Sequence, residues 1–126
     1  MIFGQCNCEE VAFKVTGDIS DVFICHCSIC RKSTGANGIA VVIAKKELFQ
    51  WHRGTHQIST WHKPTGEWQT SFCQHCGSTL PGPNDNQHMY IPAGLITQGG
   101  DRLKVAHHIF VESKACWDVI GDGGEI

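Results

Sequence analysis

The sequence predicts a mainly β fold built from short antiparallel strands. Three observations carry that prediction. Apolar residues come in brief runs rich in β-branched and aromatic types, which suit a pleated, half-buried surface. Clusters of glycine, proline and asparagine separate these runs and mark turns. No segment carries the 3.6-residue apolar period of a long amphipathic helix.

Along the chain, Val11-Ala12-Phe13-Lys14-Val15 alternates as a strand and Thr16-Gly17-Asp18 turns it. Val22-Phe23-Ile24 is a strand that delivers Cys25 at its end. Ser28 to Ser33 has the length of a helical turn, and Thr34-Gly35-Ala36-Asn37-Gly38 reads as a loop. Ile39-Ala40-Val41-Val42-Ile43-Ala44 is a buried strand, and Lys45-Lys46-Glu47 is exposed and turns the chain. Phe49-Gln50-Trp51 and Gly54 lead into Gln57–Trp61 and Trp68–Phe72, a hairpin-like pair joined through Lys63-Pro64-Thr65-Gly66-Glu67. Pro81 to Asn86 is a loop by composition. His88–Ala93 and His107–Glu112 are further strands, with a turn at Gly99-Gly100-Asp101 between them. The tail from Asp118 to Ile126, glycine-rich and acidic, is expected to be loose.

A length of 126 residues fits one domain with a modest core, and 41% hydrophobic with 17% charged residues fits a folded chain. A net charge of −2 without a basic run argues against nucleic acid or an anionic membrane as partner. Met1 to Cys6 has no leader pattern, and the longest apolar run is strand-sized, so a cytoplasmic chain without a membrane span is expected. In that compartment the eight cysteines are expected to be metal ligands or reactive thiols rather than disulfides.

Cys25-His26-Cys27-Ser28-Ile29-Cys30 puts three thiolates around one point without help from distant chain. Closed protein shells belong to structural zinc sites, and three protein ligands with an exchangeable fourth position to catalytic ones. The spacing therefore suggests a zinc site with an open position at Cys25, Cys27 and Cys30. Cys6-Asn7-Cys8 and Cys73-Gln74-His75-Cys76-Gly77 are ligand pairs, and the simplest pairing joins Cys6, Cys8, Cys73 and Cys76 into a closed shell. Such a shell contributes folding free energy on the order of 10 kcal/mol.

Cys116, remote from both sets, reads first as a small buried hydrophobe and second as a fourth ligand or redox partner of the Cys25 group. Arg31 is a candidate contact for a substrate carboxylate, and Lys32 reads as an ordinary surface charge. For His26 a packing or solvent-facing role is preferred over a proton shuttle. His107 and His108 occupy opposite faces of one strand. Trp51, Trp61, Trp68, Trp117 and Tyr90 are assigned to the core.

Gly4-Gln5-Cys6-Asn7-Cys8, then Cys25 to Gly35, then Phe72-Cys73-Gln74-His75-Cys76-Gly77-Ser78 resemble the motifs of the glutathione-dependent formaldehyde-activating enzyme (GFA) and centromere protein V family. The closing segment His107 to Trp117 is similar to that family's end. The resemblance implies a single zinc domain over residues 1–126, with the Rab exchange-factor-like β-tent fold. It implies two zinc ions: a structural one on Cys6, Cys8, Cys73 and Cys76, and a catalytic one on Cys25, Cys27 and Cys30. The implied activity is a carbon–sulfur lyase reaction that reversibly joins formaldehyde to glutathione as S-hydroxymethylglutathione. A non-catalytic zinc-binding module and a thiol or metal sensor are the alternatives. This chain departs from the family pattern at Gln69-Thr70-Ser71, where an arginine is frequent, at Gly94-Leu95-Ile96-Thr97, and at Glu9, which replaces a usual glycine.

Overall fold

Short strands linked by tight turns make up most of the chain, which the computed structural model describes from Met1 to Ile126. In order they are β1 (Ile2–Gln5), β2 (Ala12–Val15), β3 (Val22–Cys25), the helix α1 (Ser28–Thr34), β4 (Ile39–Lys45) and β5 (Phe49–Arg53). There follow β6 (Ile58–His62), β7 (Gln69–Cys73), β8 (Gly82–Pro83), β9 (His88–Pro92), β10 (Ile96–Gln98) and β11 (Val105–Ile109). One sheet has the order β10-β1-β2-β5, a second β11-β3-β4-β9-β8, and β6-β7 stands apart as a hairpin. The ladders are antiparallel except β3 with β11, which run parallel.

The continuous apolar run in β4 follows from its place in the middle of the second sheet, with both faces covered. Val42 and Ala44 point into the main core, where they meet Ile2, Phe13 and Val15 of the first sheet and Val22 and Ile91 of their own. Ile39 and Val41 point the other way, onto Cys25, Cys30 and Tyr90. Period-two alternation therefore divides one apolar strand between two environments. In β3, Val22 likewise faces the main core while Cys25 faces the second.

Strands β1, β5 and β10 go beyond the sequence expectations. β1 contains glycine, β5 is half polar and β10 has three residues, so none carries a strong local signal. Long-range pairing makes them strands: β1 lies between β2 and β10, and β5 flanks β2. Phe49 and Trp51 of β5 turn inward against Phe13, with ring centroids 5.5 and 6.5 Å away.

Three expectations are corrected. The tail is fastened rather than loose: the Glu125 N–H donates to the Ala106 carbonyl at 2.9 Å, and the His108 N–H donates to the Glu125 carbonyl at 2.6 Å. Cys116 is exposed rather than buried, because its neighbour Ala115 takes the inward position in that turn. Trp61 and Trp117 are also surface residues, 52% and 69% exposed, whereas Tyr90 is buried as expected.

Candidate metal centres and the adjoining cleft

Cys6 leaves the end of β1 and Cys8 lies in the turn that follows; Cys73 ends β7 and Cys76 closes its turn. Their four sulfurs lie within 4.8 Å of one another and could hold a metal ion. Sγ–Sγ separations are 3.5 Å for Cys6–Cys8 and 3.8 Å for Cys8–Cys73. The Val11 N–H donates to Cys6 Sγ at 3.3 Å, and Ser78 Oγ lies 3.3 Å from Cys76 Sγ while accepting from the Asn7 N–H at 2.9 Å. Hydrogen bonding from Ser78, its hydroxyl first, lowers the Cys76 thiol to about 5 against the opposing effect of burial. Val11 and Leu80 enclose the group, so it joins the first sheet to the β6–β7 hairpin beneath an apolar cover.

The second group stands on the face of the second sheet opposite the main core. Cys25 ends β3, Cys27 caps α1 and Cys30 lies in its first turn, with their sulfurs again within 4.8 Å. Cys27 Sγ accepts from the Cys30 N–H at 3.3 Å, the bond usually made by a serine or aspartate cap. Gly35 closes the helix in the left-handed region at φ 70°, and its N–H donates to the Arg31 carbonyl at 2.8 Å. Gly38 then lets β4 come so close to the Cys25 carbonyl that no side chain would fit between them.

Cys25 and Cys30 are buried and Cys27 is half-buried, so the group reaches solvent on the Cys27 side. Without a cation the three sulfurs share protons. Hydrogen bonding from the Cys30 thiol lowers Cys25 to about 6 against the effect of burial. Cys30 itself is pushed far up, by its bond to Cys25 first and by burial second. Full ionisation of all three needs a positive charge at their centre.

Beside this group, α1 and the hairpin bound a cleft of about 350 Å³, lined by Ile29, Lys32, Trp61, Lys63, Trp68 and Phe72 among others. Trp68 packs against the buried cysteine group and also walls the cleft. It stacks on Tyr90 at 5.9 Å, and its indole N–H donates to Thr70 Oγ1 at 2.7 Å. Lys63 pairs with Glu67 at 2.9 Å. Arg31 turns elsewhere, its Nε donating to the Ser113 carbonyl at 3.2 Å.

Both cysteine sets expected from spacing are thus brought together, and Cys116 joins neither. Sequence reasoning missed the cleft, because its walls come from two segments about thirty residues apart. It also missed His108 and Asp118, which meet His26 across a sequence distance of more than eighty residues, and Asp122, which bonds His108 in turn. No local pattern announces such a meeting.

The fold and its two cysteine centres define a small β protein equipped to hold metal in two places. The chain belongs to the family described as glutathione-dependent formaldehyde-activating enzyme, which matches residues 1–113. A protein of Halomonas elongata named "Putative glutathione-dependent formaldehyde-activating enzyme" is 27% identical over 124 residues, covering 93% of this chain and 79% of its own length. A crystal structure of a Rhodobacter sphaeroides protein superposes with a TM-score of 0.63 at 19% identity, covering 79% of this chain and 92% of the other. That likeness speaks to the fold alone.

Proposed function

We propose that the protein is a zinc-dependent carbon–sulfur lyase that reversibly adds a low-molecular-weight thiol, glutathione, to formaldehyde. The observation that carries this reading is a three-sulfur group open at Cys27 beside a cleft that shares the wall Trp68. We assign two zinc ions and treat residues 1–126 as one catalytic domain of this family type.

The donor sets fit the ion. Sulfurs about 2.3 Å from a tetrahedral zinc lie about 3.8 Å from each other, close to the 3.5 and 3.8 Å in the four-cysteine group. Cys6, Cys8, Cys73 and Cys76 would hold the structural ion in a closed shell. Cys25, Cys27 and Cys30 would hold the catalytic one and leave a position open. When bound there, zinc supplies the charge that keeps a neighbouring thiol deprotonated near neutral pH.

The chain's own residues bind and orient. Ile29, Trp61, Trp68 and Phe72 offer the cleft an apolar lining against which the peptide part of glutathione would lie. Lys32 stands ready for one of its carboxylates, while Lys63 is already paired with Glu67. In the forward reaction the thiol sulfur bonds to the carbonyl carbon and the thiol's proton ends on the carbonyl oxygen. The reverse reaction breaks the same S–C bond, and no redox partner is required.

The test is exchange spectroscopy by NMR on formaldehyde with glutathione and with other small thiols, using protein of measured zinc content. We expect two zinc per chain and exchange faster than the spontaneous rate, with Cys27→Ala losing one zinc and the acceleration. Exchange at the spontaneous rate with every thiol would sink the enzyme reading and favour a non-catalytic zinc module.

A further inference from the structure

His26 has a hydrogen bond that a simple filling role does not need. It sits between Cys25 and Cys27 and is 1% exposed. Its Nε2 lies 2.9 Å from Nδ1 of His108, which is itself 5% exposed. His108 Nε2 lies 2.8 Å from Asp122 Oδ1, and that oxygen also accepts from the Gly124 N–H at 2.9 Å. For neutral rings the direction is set by the far end. A carboxylate can only accept, so His108 carries its hydrogen on Nε2, its Nδ1 accepts, and His26 Nε2 donates.

The other nitrogen of His26, Nδ1, is buried with no hydrogen-bond partner. It faces Asp118 Oδ2 at 3.7 Å, and that oxygen accepts from Asn37 Nδ2 at 3.1 Å. Burying two imidazoles and stranding one nitrogen costs desolvation that an apolar pair of similar shape would avoid. What the imidazole pair adds is a directional link. It runs from the segment carrying two cysteines, through β11, to the fastened tail.

We propose that His108, oriented by Asp122, is a positioning residue for the three-cysteine site: it clamps the His26 ring and so fixes the backbone that presents Cys25 and Cys27. A shift of His26 must move both flanking sulfurs, because they are its chain neighbours. The rest of that segment is held by the His26 N–H bonded to the Ile109 carbonyl at 3.0 Å and by the Cys27 cap. The four-cysteine group has different supports, Val11 and Ser78, and no link to the tail among its hydrogen bonds. The clamp therefore acts on one site and leaves an internal control. The proposal rests on reading the three-cysteine group as a metal site.

The experiment is chelator competition on the zinc-loaded full chain, following release of each equivalent with a chromogenic chelator. Outer-shell partners are worth about 10–100-fold in metal affinity. His108→Ala and Asp122→Ala, which remove the acceptors of the two links, should therefore weaken one equivalent by about that factor, with the other unchanged. In the cobalt-loaded protein, the absorption bands of one site alone should shift. His108→Asn, whose amide oxygen can accept from His26 Nε2, should restore much of the retention. If His108→Ala fails to fold, Asp122→Ala, at an exposed position of the tail, carries the test. Two equivalents bound but released as in wild type, with only thermal stability lowered, would overturn the clamp and leave the metal reading intact. A single equivalent bound by wild type would overturn both.

Discussion

Glu9 shows how one residue can oppose its own backbone. It holds φ 70°, a left-handed conformation that favours glycine. The conformation persists because the turn is tied down elsewhere: the Glu9 N–H donates to the Cys6 carbonyl at 3.0 Å, and the Glu9 carbonyl accepts from Arg53 Nη2 at 2.7 Å. These bonds use backbone atoms that any residue supplies. Glu9→Gly should therefore raise stability by about 1 kcal/mol, read from the urea midpoint; a lower midpoint would mean that the glutamate side chain contributes something not visible in its contacts.

Lys32 and Arg31 exchange the roles their chemistry suggests. Arg31 has the better fork for a carboxylate, yet its Nε is engaged by the Ser113 carbonyl, while Lys32 lines the cleft. An exposed ion pair is worth about 0.2–1 kcal/mol. Lys32→Ala should accordingly raise KM for glutathione by a few-fold and leave kcat in place, whereas Arg31→Ala should lower stability and leave KM alone. The reverse pattern in steady-state kinetics would return the substrate contact to Arg31.

Asp122 gives the residue scale its pH dependence. The His108 side chain first, and the Gly124 N–H second, hold its carboxyl below its ordinary value of 3.8. A depressed folded-state value means stabilisation that is present above the unfolded value and lost as pH falls through the folded one. The tail should thus loosen in acid, below about pH 4. Amide exchange at Glu125 followed from pH 6 downward should reveal this, and Asp122→Asn should flatten the acid limb. An unchanged limb in that variant would move the acid sensitivity to another carboxylate.

At the scale of elements, β4 has to satisfy two environments at once. One face closes the main core and the other supports the buried cysteines, so its apolar content runs without the break of a one-sided strand. Its entry is as constrained as its body. A methyl group at Gly38 would meet the carbonyl of Cys25, a backbone atom that cannot move aside cheaply. Gly38→Ala should cost about 1–3 kcal/mol through forced separation of β3 and β4, and should weaken zinc retention at the proposed three-cysteine site. Zinc content and a denaturation curve on the same sample would check this; wild-type values in both would mean that β4 retreats without disturbing the site.

The helix α1 illustrates a different division of labour. Seven residues are too few for a stable isolated helix. Its ends are made by the residues that serve the site, Cys27 as cap and Gly35 as terminator. The spacing of Cys27 and Cys30 is legible in the sequence because both fall within this one local turn. The hairpin that faces α1 across the cleft is legible too, through its proline and glycine. Their juxtaposition is not.

For the molecule as a whole, the four-cysteine group lies between the first sheet and the hairpin, and a metal held there would act as a cross-link. Metal in such a site contributes folding free energy on the order of 10 kcal/mol, comparable with the entire stability of a small domain. Removing all metal with a strong chelator should therefore unfold the chain or leave a partly ordered state, visible as loss of near-ultraviolet circular dichroism. Retention of the full native spectrum without metal would show that the hydrophobic core suffices alone.

Cysteine spacing, the two ligand sets, the central apolar strand and the family were determined by the sequence alone. Each is written in residues a few positions apart or in a whole-chain pattern of types. Only the tertiary structure decided that the tail folds back onto β11, that His26 meets His108, that Cys116 stays outside both centres and that Lys32 turns to the cleft. These facts depend on which distant strands pair and on which side of a turn faces inward. Chain topology and competition for buried space settle those questions, and neither is encoded in any local run of residues.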